Sequence, residues 1–243
     1  DGSTDYFLWN IAEVLVYDAE LDDTSRQKID SYLSLKYGIT MDQTIVTDYI
    51  NSSGAVLWNA TANSAYTNNI IGVGQNNLSD LDQKISKSIH SWAILTLATD
   101  DDFTSLNTDV SRTSLTDGEF LVIWNDTGSI ATHSWELDTS LYQDRIYREW
   151  KVANTGSVWN IHLQFDGFDD SDVLLTDADG DVSAGAANNW ALSSDGTIAA
   201  TFVDGEYFTL ATPVTNQVPS DISLSWSTIN ENNSIWDIIW NLS

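Results

Sequence analysis

Hydrophobic residues recur at helical spacing in one stretch of the chain, residues 21–38 (LDDTSRQKIDSYLSLKYG). Asp22 stands where an N-cap side chain can accept a free backbone N–H of the first turn. Gly38 offers the left-handed conformation that ends many helices. The pattern predicts a helix over 21–38 that buries one face, on which spacings of three and four place Ile29, Tyr32, Leu33 and Tyr37.

Most other hydrophobic residues fall in short segments separated by turn residues, which is typical of β-strands. Upstream of the helix, Ile11, Val14 and Val16 alternate with Glu13 within residues 5–18. No second helix pattern follows, so the sequence predicts a mostly β fold, an antiparallel β-sandwich of jelly-roll type with one N-terminal connector helix. The segments predicted as strands downstream of the helix are 47–58, 68–74, 92–99, 120–125, 145–152, 158–165, 173–176, 199–202 and 207–211.

The order of these elements predicts four parts. Residues 1–20 form a terminal strand of a preceding sandwich, or a strand added to the sheet that follows, and residues 21–38 form the connector helix. Residues 39–212 form the β-sandwich domain. Both prolines of the chain lie just after it, so residues 213–243 are interpreted as a linker and the first strands of a further module.

The charge of the chain limits the classes of partner that it can bind. The sequence has 36 acidic and 9 Lys or Arg residues, a formal net charge of −27. Such a surface repels nucleic acid and anionic lipid and attracts divalent cations. No apolar run approaches the roughly 18 residues of a membrane span, so no membrane insertion is expected. Cysteine is absent, which excludes disulfides and thiolate metal sites and fits a bacterial extracellular protein.

The strongest candidate for a metal site is the sequence DADGD at residues 177–181. Carboxylates at alternate positions of a tight turn can converge on Ca²⁺, which takes six to eight oxygen ligands. Asp177, Asp179 and Asp181 are the predicted ligands, with Asp172 upstream as a further oxygen donor. The alternative is a solvated acidic turn, because the glycine and the acid at later positions of an EF-hand loop are missing here.

Eleven tryptophans offer flat faces for sugar stacking or anchors for a peptide, or else core packing. Trp92, Trp124 and Trp150 lie in the strongest predicted strands and are expected in the core. Trp135 and Trp190 lie in polar, loop-like contexts, so they are the predicted ligand-binding residues.

Other chemistry has little support in the sequence. The three histidines are far apart and form no HxH or HExxH motif, and no GxSxG motif occurs. The glutamates are scattered, with no pair on one strand that would place two carboxyls across a cleft for glycoside hydrolysis. A non-enzymatic role is therefore expected, with a glycoside hydrolase as the least favoured class.

Several ordered motifs resemble a known arrangement. The run from Ile11 to Thr40 is similar to the junction, in large bacterial surface proteins, between a concanavalin-like (LamG-type) sandwich and a following domain of unknown function. The tail from residue 218 resembles the first strands of cadherin-like repeats in giant secreted adhesins. Further motifs of the first resemblance extend to Ala211: VLWN at 56–59, NNIIGVGQNN at 68–77, DQKISKS at 82–88, FLVIWND at 120–126, REWKVANTG at 148–156, LLTDADGD at 174–181 and DGEYFTLA at 204–211.

The resemblance implies a module of an adhesin-like protein at the bacterial cell surface or outside the cell, and it implies no enzymatic activity. Together with the residue patterns, it leads to the expectation of a structural or adhesive module, stabilised by calcium. The alternative is a carbohydrate- or peptide-binding module that uses Trp135 and Trp190. The expected partners are a glycan or peptide ligand, or further copies of the chain that exchange edge strands.

Overall fold

The computed structural model of the protein describes residues 11–214. Within this range the chain forms one α-helix, one short 3₁₀ turn (Asn77–Ser79) and fifteen β-strands. All pairs of named strands are antiparallel. The predicted mostly β, antiparallel fold with one N-terminal helix is therefore confirmed. Residues 1–10 and the predicted start of a further module at 215–243 lie outside the described residues.

Helix α1 spans Asp23–Tyr37, and both of its predicted ends are confirmed. Asp22 Oδ1 accepts the backbone N–H of Ser25 at 2.7 Å. Gly38 follows the helix in the left-handed conformation, with φ of 62°. The local sequence thus specifies where this helix begins and where it ends.

The face that α1 buries differs from the predicted one. The buried residues are Ser31, Ser34 and Leu35, whereas the predicted set of Ile29, Tyr32, Leu33 and Tyr37 is only partly covered. Ser31 fits against the sheet because its hydroxyl accepts the backbone N–H of Ile50 at 3.0 Å. A small polar side chain with a hydrogen-bond partner therefore occupies the place that the hydrophobic pattern assigns to larger residues.

The strands form three sheets. A two-stranded sheet pairs β1 with β2, and a four-stranded sheet has the order β14-β11-β6-β5. The nine-stranded sheet runs β13-β12-β15-β10-β7-β3-β4, with β9 paired to β15 and β8 paired to β9. The strand bounds are β1 Tyr49–Ile50, β2 Val56–Trp58, β3 Asn68–Asn76, β4 Leu81–Gln83, β5 Ile85–Lys87, β6 Leu95–Ala98, β7 Phe120–Asn125, β8 Thr132–His133, β9 Tyr142–Ile146, β10 Trp150–Thr155, β11 Ile161–Phe165, β12 Val173–Asp177, β13 Asn188–Ala191, β14 Thr197–Ala200 and β15 Tyr207–Pro213.

The larger core contains side chains from both large sheets. The nine-stranded sheet contributes Leu121, Ile123 and Phe208, and the four-stranded sheet contributes Leu97 and Leu163. All five are at most 1% exposed. Two sheets that pack face to face around one core form a β-sandwich, because each sheet covers an apolar face of the other.

Helix α1 belongs to the domain and is not merely a connector. Leu35 is buried in a second core, which also contains the stacked rings of Trp58 and Trp124 at a centroid distance of 4.0 Å. Gly72 in β3 makes room for the helix, because a Cβ at this position would lie 2.8 Å from Leu35 Cδ2. At the end of the helix, the carbonyl of Gly38 accepts the hydroxyl of Ser88 at 3.1 Å.

Residues 11–20 form no strand in the described structure, although their alternation predicts one. Ile11, Val14 and Val16 are exposed there. No partner strand for this segment lies within residues 11–214, so its membership in a preceding sandwich stays a prediction. At the other end, Pro213 is the last residue of β15, opposite Tyr142, and not the first residue of a linker.

The predicted strand 145–152 is two strands in the structure. β9 and β10 lie on either side of a break at residues 147–149, and both pair with β15. The break lets β10 pair with β7 while β9 pairs with β8.

Helix α1, with 15 residues, has neither the length nor the apolar composition that a crossing of a membrane requires, and no other described helix has them.

Candidate functional site

Three aromatic side chains pack together at an edge of the nine-stranded sheet. We call His133, Trp135 and Tyr147 the aromatic cluster. The His133 ring lies 4.1 Å from the Trp135 ring and 4.2 Å from the Tyr147 ring, measured between centroids. Trp135 is 53% exposed and Tyr147 is 41% exposed. Two aromatic rings are thus held in fixed positions with much of their surface open to solvent, as the sequence predicted for Trp135.

A buried arginine supports the aromatic cluster from behind. Arg145 stands opposite His133 in the β8–β9 pair, and its side chain is 4% exposed. Its Nη2 donates to Glu136 Oε2 at 3.0 Å, and its Nη1 lies 3.5 Å from Glu149 Oε2. The guanidinium carbon lies 5.8 Å from the centroid of the Trp135 ring. Two carboxylates and a cation–π contact therefore compensate the burial of this charge.

The ionisation of this region follows from burial and from Arg145. Burial lowers the pKa of His133, and the positive charge of Arg145 lowers it further, so the imidazole is neutral at pH 7. Burial raises the pKa of Glu149, although its hydrogen bond from the Tyr66 hydroxyl and the charge of Arg145 act in the opposite direction. Glu149 is held by Tyr66 and Arg145, so it serves to position the arginine.

The DADGD loop packs beside Glu149. Gly180 has φ of 90°, a conformation that favours glycine, and a Cβ built there would lie 3.0 Å from Glu149 Oε1. Gly180 therefore permits both the turn and the close approach of Glu149. The predicted metal loop and the support of the aromatic cluster thus adjoin each other.

The three acids of this loop stabilise its own backbone. Asp177 Oδ1 accepts the N–H of Asp179 at 2.8 Å, and Asp179 Oδ1 accepts the N–H of Asp181 at 3.0 Å. Asp181 Oδ1 accepts the N–H of Ser183 at 2.9 Å. These bonds lower the pKa values of Asp179 and Asp181. One oxygen of each carboxylate is therefore committed to a turn of the Asx type.

Asp172 cannot share one ion with this loop. It precedes the first residue of β12, whereas Asp177 is the last residue of that strand, so the two lie roughly 16 Å apart along an extended chain. Asp172 Oδ1 accepts the hydroxyl of Thr212 at 3.2 Å instead. Within residues 11–214, no three His, Asp or Glu side chains lie close enough together to hold one metal ion. Calcium at residues 177–181 stays a prediction.

The burial of several other tryptophans differs from the sequence prediction. Trp190 lies on β13, opposite Leu174, where it is half-buried and packs against the larger core. Trp92 is 77% exposed, because β6 begins only at Leu95. The prediction that Trp92 lies in the core is therefore wrong. Trp159, which the sequence did not single out, is 65% exposed.

The basic residues near Trp150 are used internally. Arg148 donates from Nε to the carbonyl of Gly128 and from Nη1 to the carbonyl of Trp92, both at 2.8 Å. Lys151 Nζ donates to the Tyr207 hydroxyl at 2.7 Å.

A signal for the aromatic cluster is visible in the sequence, since Arg145 and Tyr147 are two residues apart, as are His133 and Trp135. The pairing of β8 with β9 is what brings these pairs together.

A separate cavity of about 560 Å³ lies between α1, the segment at residues 13–17 and the second core. Glu13 ties the segment to the helix: its Oε2 accepts Lys36 Nζ at 2.9 Å and the Tyr37 hydroxyl at 2.8 Å. Leu57 and Phe120 contribute apolar surface to the cavity. Glu13 is therefore the polar attachment of an otherwise apolar and largely exposed segment.

The chain belongs to the family described as a domain of unknown function (DUF8202), whose model matches residues 25–212. The matched region runs from the first turn of α1 into β15. It contains the aromatic cluster, the DADGD loop and Trp159. No curated protein and no solved structure shows significant similarity to the chain.

Proposed function

We propose that this DUF8202 domain is a non-enzymatic adhesive module of a bacterial surface or secreted protein, which contacts a glycan or peptide through the aromatic cluster. The observation that carries this proposal is the pair of half-exposed rings, Trp135 and Tyr147, which both pack against His133 and lie 5.8 Å from each other. Aromatic side chains that are both exposed and fixed supply contact area at a small cost in conformational entropy.

The cluster is suited to binding more than to catalysis. Arg145 links Glu136 and Glu149, so neither carboxylate is a free partner for acid–base chemistry. The neutral ring of His133 is covered by the two neighbouring rings. Buried Arg145 holds the positions of these groups before a partner arrives, and such preorganisation lowers the cost of binding.

The extracellular location is supported by the lack of cysteine, the net charge of −27 and the resemblance of the motifs between Ile11 and Ala211 to adhesin modules. A high net charge keeps a protein soluble and limits its self-association. We include calcium stabilisation in the proposal, because the DADGD carboxylates each keep a second oxygen that makes no hydrogen bond within the described residues.

The test is binding of the folded chain to glycan and peptide arrays, with Trp135→Ala and Tyr147→Ala as the variants. We expect retention on at least one class of array, and a loss of at least tenfold in affinity for both variants. Trp92→Ala is the matched control, since Trp92 is more exposed than Trp135 and lies outside the cluster. Retention that is equal in all four proteins would contradict the proposal, because the ligand would then bind outside the aromatic cluster. No retention of the wild type would favour a spacer role.

A further inference from the structure

A second concave site lies where β6 and β11 diverge. In this pair His162 stands opposite Ala98 and Leu163 opposite Leu97. Continued beyond the strand ends, this antiparallel register places Trp159 across from Asp101. A cavity of about 450 Å³ opens at this point, and we call it the fork cleft. The residues that define it are Asp100, Asp101 and Thr113 on one wall and Trp159, Asn160 and His162 on the other.

The wall that carries Trp159 is pinned to the protein on both sides. Val158 and Ile161 are each 1% exposed and belong to the larger core. Asn154 holds the turn, since its Oδ1 accepts the N–H of Val158 at 2.9 Å and its Nδ2 donates to the Val158 carbonyl at 3.0 Å. Trp159 is nevertheless 65% exposed. Its exposure is therefore imposed by the fixed residues around it and is not the result of a loose loop.

The opposite wall is fixed by a buried arginine. Arg112 Nη1 donates to Asp100 Oδ1 at 2.8 Å, and the Arg112 side chain is 0% exposed. Asp100 Oδ2 accepts the N–H of Thr113 at 3.0 Å. Asp100 is thus oriented and its charge is compensated. Asp101, by contrast, is exposed at the cleft and makes no hydrogen bond within the described residues.

The chemistry of the cleft identifies the class of ligand. It combines one exposed aromatic face with a carboxylate, a carboxamide and an imidazole, those of Asp101, Asn160 and His162, which make no hydrogen bond with one another or with other side chains in residues 11–214. This mixture of acceptors and donors matches adjacent hydroxyl groups, and aromatic faces stack on the apolar face of a pyranose. The volume lies in the range of small-molecule sites, about 300–1,000 Å³.

Charge disfavours the other ligand classes. The net charge of −27 and the exposed carboxylate of Asp101 disfavour an anionic ligand. A cation is favoured less than the two aspartates suggest, because Arg112 already compensates Asp100. We propose that the fork cleft binds a neutral saccharide, with one pyranose ring stacked on Trp159 and its hydroxyl groups hydrogen-bonded by Asp101, Asn160 and His162. This site is distinct from the aromatic cluster and does not depend on the function proposed for it.

The experiment is isothermal titration calorimetry of the folded chain with four neutral hexasaccharides, built of glucose, mannose, xylose or N-acetylglucosamine. We expect at least one to bind, with an affinity that falls at least tenfold in Trp159→Ala and in Asp101→Asn. Trp92→Ala is the control and should bind as the wild type does, since Trp92 is exposed and lies outside the fork cleft. Trp135→Ala is measured beside it to show whether the aromatic cluster takes the same saccharide. Since Trp159 and Asp101 are exposed, both variants should keep the wild-type melting temperature.

Four results would overturn the proposal. In the first, none of the four hexasaccharides binds to the wild type at millimolar concentration. In the second, Trp159→Ala and Asp101→Asn bind as tightly as the wild type. In the third, tetramethylammonium binds in a Trp159-dependent manner while the saccharides do not, which would make the cleft a cation site. Loss of saccharide binding in Trp135→Ala alone would place the sugar at the aromatic cluster and would equally exclude the cleft.

Discussion

The guanidinium of Arg112 lies wholly inside the protein, 2.8 Å from Asp100 Oδ1. The same group also donates to three backbone carbonyls of the loop that follows β6. Its Nη2 bonds the carbonyls of Asp102 and Ser105, and its Nε bonds that of Leu106 at 3.2 Å. One side chain thus supplies hydrogen bonds to three carbonyls of the loop at residues 99–119, which contains no strand or helix of its own.

Arg112→Ala should therefore destabilise the domain strongly. Removal of one partner of a buried ion pair costs about 3–5 kcal/mol, because the remaining charge and carbonyls lose their partners. Urea unfolding followed by tryptophan fluorescence measures this change. Arg26→Ala is the control: Arg26 pairs with Asp23 on the helix surface and its side chain is 51% exposed, so a change within about 0.5 kcal/mol is expected. Equal midpoints for the two variants would show that the loop does not depend on Arg112.

Glu13→Ala should release the segment at residues 11–20 from α1. Glu13 accepts hydrogen bonds from Lys36 and Tyr37, and the segment is otherwise largely exposed. We expect faster cleavage by chymotrypsin at Tyr17, with a loss of less than about 1 kcal/mol in the stability of the domain, since the ion pair is partly exposed. Glu20→Ala is the control for charge and should be cleaved at the wild-type rate. Unchanged cleavage of Glu13→Ala would mean that the hydrogen bonds of Glu13 to Lys36 and Tyr37 do not hold the segment.

Asp102 should make the stability of its loop depend on acid. Its Oδ1 accepts the backbone N–H of Thr104 at 2.8 Å and that of Ser105 at 3.0 Å. Hydrogen bonds from Ser105 and Thr104 lower the pKa of Asp102 in the folded protein. The stabilisation is therefore fully present above the unfolded pKa of about 3.9 and is lost as pH falls through the lower folded value.

The measurement is the melting temperature between pH 5 and pH 2 for the wild type and Asp102→Asn. Asparagine keeps the acceptor oxygen but does not titrate, so the variant should lose less stability on acidification than the wild type. Asp30→Asn, on the exposed surface of α1, controls for the removal of one charge. Parallel curves for Asp102→Asn and the wild type would contradict this account.

Calcium should raise the melting temperature of the wild type if it binds the DADGD loop, because a ligand bound only to the folded state stabilises it by mass action. We expect a rise in millimolar Ca²⁺ relative to EGTA, and no rise in Asp179→Ala. Asp169→Ala is the matched control, since Asp169 Oδ1 accepts the N–H of Ser171 at 2.9 Å in a similar turn outside the loop. An equal rise in melting temperature in all three proteins would show that calcium binds outside this loop. No rise in the wild type would show that calcium does not stabilise the domain, and calcium stabilisation would then be dropped from the proposed function.

The candidate sites were only partly predictable. Trp135 was found from its polar surroundings. Trp159 was not chosen as a binding residue, because it lies inside the predicted strand 158–165, which suggests burial. Its exposure depends on Val158 and Ile161, which fill the core on either side of it.

The sequence by itself determined the ends of α1, most of the strands and the antiparallel β class. These features depend on local physics: Asp22 and Gly38 act within one turn of the helix, and strand periodicity is set by neighbouring residues. Tertiary structure decided which face of α1 is buried and which tryptophans are exposed. It also decided that Asp172 and the DADGD loop lie at opposite ends of β12. Such outcomes depend on the pairing of strands far apart in the chain, such as β8 with β9 and β6 with β11, which no local pattern encodes.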